Sequence, residues 1–163
     1  MIKNSFLIIV VLLMGSISLS FGQCNIKSTD QSDGHITYYL DPELVAQTSD
    51  MGIAFSVQMV EDNYYLAITF QFAKLAVPLE EKVAIELQNG YTLELEMYTM
   101  QVANASGVEL TLAVYNLFPD QIDFFTKSKL KAIHFKSLTA KQFDLNITSN
   151  HEVFMRHLKC FGK

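Results

Sequence analysis

A mostly β fold of antiparallel strands is what this sequence predicts, and three observations predict it. Apolar and polar residues alternate over long stretches of the middle of the chain, short turn signals separate those stretches, and helical signatures are confined to a late connection, the C-terminus and one brief segment. The expected architecture is an antiparallel β-sandwich or a curled, partly closed sheet, with a short helix in a late connection and a helix at the C-terminus. The alternative is an α+β single antiparallel sheet covered by the C-terminal helix. Strands do not alternate with long helices, so a parallel α/β sheet with its switch-point cofactor site is not expected.

At 163 residues, 50% hydrophobic and 18% charged, the chain is sized for one domain and too apolar for intrinsic disorder. Its first 22 residues are read as a cleaved signal peptide: Lys3, an apolar run from Phe6 to Met14, then a Gly/Ser-rich segment ending Ser20-Phe21-Gly22. That run is too short to span a bilayer as a helix, which takes about 20 residues. A lipid anchor at Cys24 is not expected, because Gln23 stands where a lipoprotein motif requires a small residue. Residues 23–34 then form a polar N-terminal arm and 35–163 a single β-rich domain. The mature protein is expected to be exported, to the periplasm or the extracellular space, with no transmembrane segment. In an oxidising compartment Cys24 and Cys160 are expected to pair as a disulfide. Closing so long a loop is worth about 4–5 kcal/mol in the chain-entropy model.

The elements follow in order. Asp41-Pro42-Glu43 resembles a cap and first turn, predicting one or two turns of helix. Ile53, Phe55, Val57 and Met59 alternate, as do Leu66, Ile68, Phe70 and Phe72; a tight turn at Asp62-Asn63 pairs Met59 with Leu66 and Ile53 with Phe72. Next comes Gln88-Asn89-Gly90, where a two-residue Asn-Gly loop would set Leu87 opposite Thr92, Ile85 opposite Glu94 and Val83 opposite Glu96. A three-residue loop with Gly90 left-handed instead pairs Ile85 with Leu93, Val83 with Leu95 and Lys82 with Glu96, which predicts the bulged register.

A long strand from Tyr91 to Ala103 turns through Asn104-Ala105-Ser106-Gly107 and returns as Val108 to Leu117. Apolar residues occupy both parities there, including Tyr98, Met100 and Val102 against Met97, so the pair is expected to be covered on both faces or bent by a bulge. Pro119 opens a short helix to about Lys127 with Ile122 and Phe125 on one side. Lys129 to Lys136 and Gln142 to Thr148 read as strands. Ser149 and Glu152 resemble a capping box for a C-terminal helix with the stripe Val153, Phe154, His157, Leu158 and Phe161.

Signals for chemistry are sparse. His35, His134, His151 and His157 have no metal-binding spacing, and no nucleophile elbow, phosphate loop or dinucleotide fingerprint occurs. Glu94 and Glu96 share a solvent face with nothing apolar beside them to raise one as a general acid. Asp30 to Gly34 lacks the glycine and glutamate offsets of a calcium loop. No catalytic residue, cofactor or metal site is therefore assigned, and the protein is not expected to be an enzyme.

Two features bear on contacts. Lys127, Lys129, Lys131, Lys136 and Lys141 lie in a segment without acids, inside a chain of net charge -5. They suggest either a patch for an anionic partner or an edge strand guarded against sheet-to-sheet association. Nucleic acid is not expected, since the chain has a single arginine, Arg156. Among the seven tyrosines and twelve phenylalanines most fit the core faces of the strands, but Tyr65 projects from the opposite face of its hairpin. The function expected is an exported non-catalytic β-domain acting through protein or cell-envelope surface contacts. The alternative is a small apolar-ligand carrier with its pocket between the sheet and the C-terminal helix.

Overall fold

The computed structural model describes residues 24–30, 34–73, 76–105 and 108–163. The leader read over 1–22 lies outside them, as do Gln23, Gln31 to Asp33 of the arm, and Ser106-Gly107 of the third predicted hairpin turn. The alternating pattern folds as one antiparallel sheet of ten strands that does not close. These are β1 (Lys27–Asp30), β2 (Ile36–Tyr39), β3 (Glu43–Gln47), β4 (Met51–Val60), β5 (Asn63–Phe72), β6 (Leu79–Leu87), β7 (Thr92–Ala105), β8 (Val108–Leu117), β9 (Leu130–Ser137) and β10 (Gln142–Asn146). Two helices complete the fold, α1 (Pro119–Lys127) and α2 (Val153–Cys160). Their order across the sheet is β1-β2-β4-β5-β8-β7-β6-β9-β10, and β3 pairs with β4 beside β2.

The sheet curls because β7 serves two ladders. Its residues up to Glu96 pair with β6, those from Met97 onward with β8, and the register shifts between Met97 and Thr99. A bulge adds twist and bends the strand that carries it. The bend brings the inner faces together, so that Phe70 of β5 lies 4.7 Å from Phe135 of β9. The open gap between β3 and β10 is bridged by main chain: Thr148 and Ser149 N–H both donate to Val45 O, at 2.8 and 3.1 Å.

The second hairpin has the bulged register, with Ile85 opposite Leu93, Val83 opposite Leu95 and Gly90 at φ +90°. The first hairpin differs. Its turn is Glu61-Asp62, and Val60 pairs with Asn63, Met59 with Tyr64 and Ile53 with Phe70. The predicted register would have set Tyr64 against Glu61 at the rim of the core; the observed one gives buried Tyr64 an apolar partner and puts Glu61 in the turn at φ +54°. The shift is two residues, so every side chain keeps its face.

Two local expectations are corrected. Asp41-Pro42-Glu43 starts no helix: Asp41 accepts from Lys27 Nζ at 2.6 Å, and Glu43 begins β3, whose Val45 and Ala46 are buried against β4. Ser149 does not cap α2 either. Its hydroxyl donates to Leu44 O at 2.7 Å, tying the segment after β10 to β3, and Glu152 is the N-cap. The N-terminal arm also contains strand β1, paired along its length with β2. Cys24 and Cys160 are joined as a disulfide, with Cα atoms 5.4 Å apart.

The helices cover one end of the core. Phe154 stacks on Phe55 at 5.2 Å and meets Phe125 of α1 at 4.4 Å. His157 fills the break in the ladder on β4 between the end of β2 at Tyr39 and the start of β3 at Glu43. Between β2 and β3 the edge of β4 has no strand partner, and Val57 N–H there donates to His157 Nδ1 at 3.3 Å. A buried backbone N–H needs such an acceptor. The ring proton therefore sits on Nε2, which donates to Glu43 Oε1 at 3.0 Å, and Arg156 pairs with the same carboxylate.

Two stability measurements test this packing. The hydroxyl of fully buried Tyr115 has no hydrogen-bond partner among the described residues, and burial pushes its pKa up. Removing an unsatisfied polar group from a core is favourable, so Tyr115→Phe should raise unfolding stability in urea by about 1 kcal/mol; a loss of stability would mean that the hydroxyl is bonded. Burial also holds His157 below its ordinary 6.5, against the opposing pull of Glu43. Its neutral form is the folded form, so its contribution is complete above pH 6.5 and falls as the pH drops from 6.5 towards the lower folded value. His157→Asn, which keeps an acceptor for Val57, should lose that part of the pH slope; an unchanged slope would assign it to another group.

Candidate functional site

Strand periodicity places one tyrosine of each doublet on each face of the sheet. Tyr64 enters the core, whereas Tyr65 lies on the outer face, in a row with Gln58 of β4 and Tyr39 of β2. The β7 bulge adds a third ring. Tyr98 is the extra residue between Met97 and Thr99, it is 65% exposed, and its ring lies 5.4 Å from that of Tyr65. Bulges commonly re-aim a side chain in this way.

These rings line an open cleft of about 670 Å³ on the outer face. Val60 and Val114 supply its apolar surface, and Gln58, Asn63, Thr29, Thr37 and Thr99 its polar groups. His35 and Glu61, paired at 3.0 Å, complete the lining, so the cleft holds no unpaired cation. Within the described residues no side-chain hydrogen bond occupies Gln58, Asn63, Tyr65 or Tyr98. The sequence showed Tyr65 leaving the core. It did not show Tyr98, because the bulge that turns this residue outward depends on β7 changing partners.

Two other open clefts flank the core. One of about 570 Å³ lies at the end of the curled sheet away from the helices, among Met51, Phe72, Val77, Phe143 and Leu145, with Lys141 4.8 Å above the Phe143 ring. One of about 390 Å³ lies where Tyr64 and Tyr65 approach the start of α1. Neither is lined by Phe154 or Leu158, which fill the space between sheet and α2.

The lysine-rich segment is divided by ion pairs. Lys127 pairs with Asp123, Lys129 with Glu152 at 2.5 Å and Lys131 with Glu86 at 2.6 Å. Lys131 and Lys129 hold the Glu86 and Glu152 carboxyls below the usual range. Nor does the segment form an edge strand, since β9 has β6 on one side and β10 on the other. The strands with a partner on one side only are instead β1, β3 and β10, of which β1 and β10 are short and rich in polar residues.

The histidines are engaged in the fold. His134 Nδ1 lies 2.7 Å from Asp144, which it holds below the usual carboxyl range, and Nε2 is 3.8 Å from Glu86. His151 Nδ1 donates to Leu130 O at 2.9 Å. No group of three or more potential metal ligands is present among the described residues. No helix among them is long and apolar enough to cross a membrane. No family model, curated protein or solved structure matches the chain.

Because three of the five lysines already have acidic partners, the triple variant Lys129→Gln/Lys131→Gln/Lys136→Gln should bind anionic lipid vesicles no differently from the native protein. A salt-sensitive loss of binding in the variant would restore the segment as an anionic contact site.

Proposed function

We propose that the mature chain is an exported, non-catalytic β-domain that works by surface contact with a protein or cell-envelope component, and that the tyrosine cleft is where the contact is made. The observation that carries this is the display of Tyr39, Tyr65 and Tyr98 outside a core that already holds ample aromatic surface. Aromatic side chains with a polar tip are favoured at recognition surfaces, because they contribute contact area at little entropic cost. Commitment of His134, His151 and His157 to bonds within the fold supports a role in contact rather than in proton transfer. The Cys24–Cys160 bridge is compatible with an oxidising destination.

A second reading is a small apolar-ligand carrier. It is favoured by the cleft at the mouth of the curled sheet, where Met51, Phe72, Phe143 and Leu145 gather; mouths of curled sheets are frequent ligand sites.

Expressed from its first residue, the protein should be recovered from the periplasmic or extracellular fraction beginning at Gln23, with no thiol labelled under denaturing conditions. It should then bind the isolated envelope of its own cells, and Tyr65→Ala/Tyr98→Ala should lose most of that binding. Equal retention of both proteins would exclude the cleft as the contact site.

A further inference from the structure

Resting on the assignment of the tyrosine cleft as the contact site, we propose that its ligand is an uncharged saccharide. A sugar ring presents an apolar C–H face and a rim of hydroxyls that both donate and accept. The cleft offers the matching halves. Tyr65 and Tyr98, 5.4 Å apart, supply aromatic faces for the C–H side. The amides of Gln58 and Asn63 each donate and accept, as the hydroxyls of a sugar require.

Other ligand classes fit less well. A phosphate or carboxylate would need a free cation, and the lining contains no lysine or arginine, while His35 is paired with Glu61. An acyl chain or a membrane surface would strip water from the amides and hydroxyls without replacing its hydrogen bonds. An extended peptide gains affinity by pairing with a sheet edge; the cleft meets the β1 edge only at Thr29, whereas Tyr39, Gln58 and Tyr65 at its centre stand on β2, β4 and β5 where the backbone is already paired on both sides. The volume of about 670 Å³ suits a short oligosaccharide segment.

The test uses two kinds of probe on the disulfide-bonded mature protein. Neutral hexaoses of glucose, mannose, xylose and N-acetylglucosamine are titrated by calorimetry, and isolated envelope is offered after either protease digestion or periodate oxidation of vicinal diols. At least one hexaose should bind, Tyr65→Ala and Tyr98→Ala should each weaken it about tenfold, and Tyr65→Phe should weaken it less. Tyr98 is 65% exposed, so its variant tests the site even if Tyr65→Ala disturbs folding. Cleft-dependent envelope binding should survive protease and vanish after periodate. If it vanishes with protease and ignores periodate, the saccharide is overturned while the contact role stands. If neither preparation shows cleft-dependent binding and no hexaose binds, both fail.

Discussion

Strand β7 belongs to two ladders, and the place where it passes from one to the other governs both what is buried and what is displayed. Had it paired with β6 and β8 in an unbroken register, the sheet would be a flatter ribbon with one wet face. The shift between Met97 and Thr99 bends it instead, so that the inner residues of β4, β5 and β8 meet those of β6 and β9. The same shift leaves Tyr98 over, beside Tyr65 on the outer face. One local irregularity thus closes the core on one side and builds the cleft on the other.

How much of this the sequence reveals depends on how local the deciding interaction is. The register of the second hairpin is legible because three alternating pairs and Gly90 all lie within a few residues of the loop. In the first hairpin the faces are legible and the turn is not, since shifts of two residues preserve parity and only the partner of Tyr64 separates them. Asp41-Pro42-Glu43 and Ser149 mislead for a different reason. Both have the local chemistry of helix starts, but Asp41 answers to Lys27 and Ser149 to Leu44, partners far along the chain.

The cleft follows the same division. Tyr65 can be read from its parity alone, and the tyrosine doublets already imply one ring on each face. Tyr98 cannot, because an alternating pattern with apolar residues at both parities is equally consistent with burial on two faces and with a bulge. The lysine segment is the converse case: acid-free along the chain, it is ion-paired in space, with Glu86 and Glu152 reaching it from β6 and the start of α2.

The two ends of the chain bear on the same cleft. Strand β1 supplies Thr29 to the lining, yet its four residues are all exposed, so burial cannot hold it in place. Hydrogen bonds to β2 and the Cys24–Cys160 bridge do. Cys160 in turn is the last residue of α2, which Phe154 and His157 fasten to β4. The disulfide therefore links an otherwise weakly held edge to a helix locked onto the core. Besides closing a loop of 136 residues, the bridge keeps this wall of the cleft in position.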